Sequence, residues 1–83
     1  MKNIKKIRNK IDIIDEKILR LLEKRANLAI EIGKLKNDIL DSKREKEIIE
    51  RIKILNNKVI EEKELIKFYK KIISICKNIQ KKR

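Results

Sequence analysis

The sequence predicts an all-α protein, and three of its features support this prediction. There is no proline and only one glycine among the 83 residues, and aromatic residues account for 2%. Charged residues account for 46%. Between the charged residues, apolar residues recur at steps of three and four, which is the period of an amphipathic helix rather than of a strand. A chain of this length forms one domain at most. We therefore expect residues 1–83 to form a single helical domain.

The first predicted helix runs from about residue 3 to about residue 38 and carries one apolar stripe. At 1.5 Å per residue it would be about 50 Å long, which is too long for a compact monomer of this size. Another surface must therefore cover the stripe. The apolar residues of this stripe are Ile4, Ile7, Ile11, Ile14, Ile18, Leu21, Leu22, Leu28, Ala29, Ile32 and Leu35.

Two shorter helices are predicted over about residues 42–56 and 60–81. Asp41 or Ser42 can cap the start of the second helix, and Asn56–Asn57 is a plausible end. The apolar residues are Ile48, Ile49, Ile52 and Leu55 in the second helix and Leu65, Ile66, Tyr69, Ile72, Ile73, Cys76 and Ile79 in the third. Because each helix has a single apolar stripe, the economical architecture is an intertwined homodimeric helical bundle in which the long helices pair.

The composition also narrows the function. Since there is one cysteine, Cys76, and no histidine, an intramolecular disulfide is excluded and a zinc site is disfavoured. The N-terminus lacks the continuous apolar stretch of a signal peptide or a membrane span, which predicts a cytoplasmic protein with no membrane partner. The net charge of +12 raises the question of nucleic acid. However, the basic residues are spread over the chain without aromatic or glycine-rich motifs, so no specific nucleic-acid partner is expected.

Four polar residues interrupt the apolar stripes. Lys36 follows Arg25 by 11 residues, which at 100° per residue puts these cations about 20° apart on one face of the first helix. Glu45 precedes the apolar residues of the second helix at helical spacing, and Gln80 follows Cys76 by four residues. Burying a lone charge costs several kcal/mol unless it is paired. These residues therefore predict either an internal polar network or a site for an anionic ligand.

Each of these residues also has a purely structural alternative. Arg25 can reach the helix edge or pair with Glu45 in a structural salt bridge. Lys36 lies near the end of its helix, where a cation complements the helix dipole. Glu45 follows Ser42 by three residues, which is the spacing of a capping box. Gln80 can belong to a frayed, solvated helix end. Only their joint occurrence favours a binding site.

Several motifs follow one another along almost the whole chain. They are IDIIDEKILRLLEKR after Arg8, LAIEIGKLK ending at Lys36, DSKRE over residues 41–45, IIERI, and YKKIISICKNIQ. In this order they resemble the all-helical chorismate mutase family, the AroQ type. The resemblance implies a domain-swapped helical dimer with two equivalent sites. These sites would rearrange chorismate to prephenate in phenylalanine and tyrosine biosynthesis, with no cofactor and no metal. Because the sequence has no appended dehydratase, dehydrogenase or regulatory segment, we expect a monofunctional enzyme.

The resemblance implies roles for the polar residues as well. Arg25 and Arg8 of the partner subunit would clamp the two substrate carboxylates. Lys36 and Gln80 would donate hydrogen bonds to the ether oxygen of the breaking bond. Periodicity agrees for Arg8. It precedes Arg25 by 17 residues and so lies about 100° away around the helix, pointing to the other subunit's site.

The remaining implied site residues belong to the second and third helices. Glu45, with Asp41 and Arg44, would hold the ring hydroxyl of the substrate, and Cys76 would line the pocket. The connector after Lys36 is shorter than in many relatives by about four residues, close to one helical turn, so the helix faces can stay in phase.

Two alternatives for the function stay open. One is an isochorismate pyruvate lyase on the same fold, which the DSKRE motif argues against. The other is a non-enzymatic basic helical module that binds nucleic acid.

Overall fold

The computed structural model describes residues 2–35, 42–56 and 58–81, which form three α-helices joined in sequence. Helix α1 spans Lys2–Leu35, α2 spans Ser42–Leu55 and α3 spans Glu62–Lys81. These ranges contain no strand, so the predicted all-α class is confirmed. The predicted end of the first helix, residues 36–38, lies outside the described residues. Helix α3 begins two residues later than predicted, because residues 58–60 form a bend.

Asn56 organises the turn that precedes α3. Its side-chain Oδ1 accepts a hydrogen bond from the backbone N–H of Lys58 at 3.1 Å, and its Nδ2 donates to the backbone oxygen of Ile60 at 3.1 Å. Lys58 has a φ of 70°, in the left-handed region that non-glycine residues rarely adopt. Asparagine side chains stabilise such turns by bonding the backbone two residues on. This explains why α2 ends at Leu55 and the chain reverses direction after it.

Helix α3 forms the core with both other helices. It packs against α1 and α2, whereas α1 and α2 do not pack against each other within the described ranges. Ala29 of α1 and Ile72 and Cys76 of α3 form the buried cluster, on which Leu22 and Tyr69 pack. Further buried apolar residues are Ile52 and Ile73. The apolar stripe predicted for the third helix is thus the centre of the fold.

The first half of α1 makes little contact with the rest of the chain. Every residue from 3 to 21 is exposed, including all the isoleucines of its predicted stripe. The radius of gyration is 15.9 Å, against about 12 Å for a compact chain of this length. The accessible surface is 7715 Å², against about 5,200 Å² for a compact monomer. None of the described helices is both long and apolar enough to cross a membrane.

We predict that Ile72→Ala lowers the free energy of unfolding by about 2–4 kcal/mol, because it leaves a cavity between α1 and α3. Ile54→Ala is the matched control: Ile54 is 82% exposed, whereas Ile72 is 7% exposed. Its effect should stay within about 0.5 kcal/mol. Urea unfolding of both variants at one protein concentration measures the difference, and equal losses would contradict this description of the core.

Candidate active site

The last turns of α3 make polar contacts with both other helices. Cys76 and Gln80, one turn apart, face α1, and Lys77 faces α2. The contacts follow from helical spacing, because residues four apart share a face and the intervening residue 77 is turned by about 100°. Here the apolar stripe of α3 continues into polar residues.

Arg25 reaches this region from α1. Its side chain is half-buried, and its Nη1 donates to the Cys76 sulfur at 3.0 Å. Cys76 is buried, as predicted for a small core residue. The alternative in which Arg25 pairs with Glu45 is not what the structure has, because Glu45 pairs with a lysine of α3. A thiol is a weak acceptor, so the guanidinium fork stays suited to a carboxylate ligand.

Gln80 is anchored to α1 by its amide. The side chain is half-buried, and Nε2 donates to the backbone oxygen of Ala29 at 2.7 Å. The alternative of a frayed, solvated end is therefore wrong for Gln80. A primary amide has two N–H donors. The bond to Ala29 uses one of them and fixes the plane of the amide, so the second donor has a defined direction.

The only glycine of the chain lies opposite Gln80. A Cβ added at Gly33 would lie 3.2 Å from Cγ, 3.3 Å from Cβ and 3.6 Å from Cα of Gln80. Its φ is not positive, so the conformational freedom of glycine is not what this position requires. The position requires space, because α3 approaches α1 closely here. Within a helix, glycine is less stable than alanine by about 0.5–1 kcal/mol. The close approach of Gln80 explains why a glycine is present here despite that cost.

Glu45 points from α2 towards α3. Its side chain is half-buried, its Oε2 is inaccessible to solvent, and it forms an ion pair with Lys77. A capping box with Ser42 does not account for this contact. Arg44, the neighbouring residue, is exposed, and its Nη1 lies 3.5 Å from Glu47 Oε1 on the same helix.

Three further predicted site residues, Arg8, Lys36 and Asp41, are not part of the described cluster. Arg8 is exposed on the first half of α1. Seventeen residues of helix separate it from Arg25, which corresponds to about 25 Å along the axis. It therefore cannot reach the same site within one chain. Lys36 and Asp41 lie outside the described residues.

The cluster also contains groups that were not predicted: Gly33, the backbone oxygen of Ala29, and Lys77. Two of them had a signal in the sequence. Lys77 follows Ile73 by four residues and so interrupts the apolar stripe of α3 just as Gln80 does. A lone glycine inside a helical pattern often has a packing reason. The backbone oxygen has no such signal, because every residue supplies one.

An open groove of about 860 Å³ runs between α2 and α3 beside this cluster. Ile49 and Ile73 give it apolar walls, and Glu45 and Lys77 lie on it as well. In the described part of the chain, no group of three or more metal-ligating side chains is positioned to hold a metal ion. What the cluster presents is a guanidinium, an oriented amide donor and a paired carboxylate, a set that suits a small ligand carrying carboxylates and hydroxyls.

Comparison with known proteins identifies the family. The family model "Chorismate mutase type II" matches residues 7–81. The chain belongs to this family. The resemblance to the all-helical AroQ type is thereby confirmed.

Three curated relatives of this chorismate mutase chain differ in length. It is 37% identical over 86 residues to the chorismate mutase of Methanocaldococcus jannaschii, covering 98% of this chain and 87% of that protein. It is 42% identical over 90 residues to the bifunctional chorismate mutase/prephenate dehydratase of Aquifex aeolicus, covering 99% of this chain and 25% of that protein. The chain is also 34% identical over 76 residues to the bifunctional chorismate mutase/prephenate dehydratase of Neisseria gonorrhoeae, covering 89% of this chain and 21% of that protein. The chain thus spans about a quarter or less of the bifunctional relatives.

We predict that Gly33→Ala displaces Gln80 without unfolding the protein. The gain of about 0.5–1 kcal/mol in helix stability offsets the crowding of a new methyl group 3.2–3.3 Å from Gln80 side-chain carbons. The melting temperature should therefore change little, while the NMR signals of the Gln80 side-chain amide shift as its bond to Ala29 lengthens. Lys34→Ala, at the exposed neighbouring position, is the control and should leave those signals in place. An unmoved Gln80 amide in Gly33→Ala would contradict the packing argument.

Proposed function

We propose that this chain is a chorismate mutase domain that converts chorismate to prephenate in aromatic amino-acid biosynthesis. The observation that carries the proposal is the pair of α1–α3 contacts at Arg25 and Gln80, in a chain whose family model spans residues 7–81. These contacts place a guanidinium and a directed amide donor on the same side of α3. A dianionic ether substrate requires both groups.

The reaction is a unimolecular Claisen rearrangement, so it needs no nucleophile and no proton transfer. Catalysis then consists of holding the flexible substrate in its compact conformer and stabilising the negative charge that develops on the ether oxygen. We assign Arg25 and Arg8 of the partner subunit to the two carboxylates. Lys36 and the second N–H of Gln80 are assigned to the ether oxygen, because preorganised donors stabilise charge there without reorganisation.

We assign the ring hydroxyl of the substrate to the α2 side of the site. In this proposal Glu45 accepts a hydrogen bond from the ring hydroxyl, with Asp41 and Arg44 at the edge of that subsite. Cys76 lines the pocket. Its buried sulfur accepts a hydrogen bond from Arg25 at 3.0 Å, a weak contact that orients the guanidinium and that a substrate carboxylate can replace.

We further propose that the functional unit is a homodimer in which each site uses both chains. The single chain exposes roughly 2,500 Å² more surface than a compact monomer of its length, which is the scale of an obligate dimer interface. The first half of α1 carries this unburied apolar stripe. The groove between α2 and α3, with Ile49 and Ile73 in its walls, offers a matching surface for the partner's α1. Arg8 would enter the partner's site by this route.

Turnover of chorismate tests the function directly. We expect the purified protein to consume chorismate, followed by loss of its ultraviolet absorbance, and to form prephenate. Lys36→Ala should lower kcat by about a hundredfold or more, because one preorganised donor to the reacting oxygen is lost. Lys34→Ala removes an exposed cation of α1, two residues before Lys36 in the sequence, and should keep near-normal turnover.

Three outcomes would contradict this assignment. Near-normal turnover in a folded Lys36→Ala protein would remove the role of Lys36. Formation of salicylate and pyruvate from isochorismate, without prephenate formation from chorismate, would favour the lyase activity. A steeply salt-dependent affinity for DNA or RNA, with no turnover of either substrate, would favour a basic binding module.

Subunit mixing tests the shared site. Arg8→Ala and Arg25→Ala should each be inactive, because both abolish a carboxylate clamp. Refolded together in equal amounts, they should recover about one quarter of wild-type activity, since half of the dimers are mixed and each mixed dimer contains one intact site.

The matched control for this experiment mixes Arg25→Ala with Gln80→Ala. Both residues belong to the same chain's half of the site, so a mixed dimer still has a defect in each site and no activity should return. If Arg8→Ala with Arg25→Ala also gives no recovery, while both variants fold and dimerise, Arg8 does not act across the dimer.

A further inference from the structure

We infer that Lys77 is a positioning residue that holds the Glu45 carboxylate as the acceptor for the substrate's ring hydroxyl. The inference rests on the proposed function, and it adds to the site a residue of α3 that the sequence motifs do not assign. Three structural observations carry it: the ion pair itself, the burial of one Glu45 oxygen, and the way α2 is attached to the rest of the fold.

The ion pair joins two half-buried side chains. The Lys77 side chain is 25% exposed and that of Glu45 is 33% exposed, whereas the other two ion pairs described have side chains between 40% and 68% exposed. Oε2 of Glu45 is inaccessible to solvent. A carboxylate oxygen shielded from water is costly unless a cation or a donor compensates it. Lys77 supplies the cation that compensates this shielded oxygen of Glu45.

The attachment of α2 makes this contact relevant to the site. Arg25 and Gln80 are tied to one another through the α1–α3 contact, but α2 packs against α3 and not against α1 in the described ranges. The position of Glu45 relative to those two groups is therefore set through α3. Lys77 immediately follows Cys76, which contacts Arg25, and precedes Gln80 by three residues.

The ion pair also determines which oxygen is free to bind. Lys77 engages Oε2, so Oε1 is the oxygen that can accept a hydrogen bond from a hydroxyl. Without the ammonium, the carboxylate can rotate about its last side-chain bond and present either oxygen or neither. A hydrogen bond to a charged group is stronger than one between neutral groups, and its full strength requires that the acceptor be held in place.

A merely structural role, in which Lys77 only ties α2 to α3, makes a different prediction. Loss of a structural tie lowers the melting temperature but leaves the recognition of the hydroxyl intact in the protein that remains folded. Loss of a positioning residue weakens the recognition of the hydroxyl specifically. The two roles are therefore separated by a pair of ligands that differ in that hydroxyl alone.

The test measures competitive inhibition by two bicyclic dicarboxylates that mimic the transition state, one with the ring hydroxyl and one without it. Wild-type protein should prefer the hydroxylated compound by about tenfold or more. In Lys77→Met, which keeps the apolar stem, this preference should fall to about threefold or less, with kcat/KM lowered by about tenfold. Lys77→Arg should restore the preference, because it restores a cation. Lys71→Met, at an exposed position of α3, is the matched control and should behave as wild type.

A double variant covers the case in which Lys77→Met fails to fold because Glu45 is left without its cation. Glu45→Gln removes the charge, and the combined variant then contains no unpaired buried carboxylate. If Lys77 acts through Glu45, adding Lys77→Met to Glu45→Gln changes the preference for the hydroxyl by less than about twofold. A further large loss would show that Lys77 acts on the ligand by another route and would overturn the inference.

The remaining outcomes separate this inference from the proposed function. Full preference for the hydroxylated compound in folded Lys77→Met, with only a lower melting temperature, would make Lys77 a structural tie and overturn the inference alone. Absence of chorismate turnover in the wild-type protein would overturn the proposed function, and with it the premise about the hydroxyl.

Discussion

The packing of α3 against both other helices is the constraint on which the rest of the structure depends. Within the described ranges α1 and α2 have no direct packing contact, so α3 determines where each lies. Its residues Cys76, Lys77 and Gln80 each bind a group on a neighbouring helix. The same helix therefore supplies the core and aligns the site. Because a misplacement of about 1 Å can cost a hundredfold in rate, the packing of the core bears directly on the catalysis proposed for this site.

The sequence predicted the helices and part of the polar cluster proposed as the site for the same physical reason. Periodicity shows where an apolar face should be, and Arg25 and Gln80 were recognisable because they interrupt such a face. Lys77 also interrupts an apolar face, but it lies in a basic stretch of sequence, where a lysine side chain is usually exposed to solvent. Gly33 was missed because a lone glycine in a helix can indicate a close packing contact, but the sequence does not show which neighbour makes it. The bond from Gln80 to the Ala29 backbone oxygen was beyond prediction, since no residue type encodes it.

The long first helix marks a different limit of what periodicity can predict. It correctly indicated one continuous helix, but it does not show what covers the stripe. Leu21 is 63% exposed and Leu28 is 60% exposed in the single chain, although both lie on the face expected to be buried. This mismatch is informative, because an apolar stripe left open along α1 requires another surface. The proposed dimer meets that requirement and also explains why Arg8 lies so far from Arg25.

The charge balance of the proposed site connects Lys77 to the substrate. Arg25, Lys36, Arg44 and Arg8 of the partner subunit are cations, whereas Glu45 and Asp41 are carboxylates. Without Lys77 this set has two net positive charges, and pairing Lys77 with Glu45 brings it to three while keeping a carboxylate as hydroxyl acceptor. In this proposal the ion pair offsets the charge of that carboxylate, so the site can recognise a hydroxyl through an anion and still attract a dianion through its positive field.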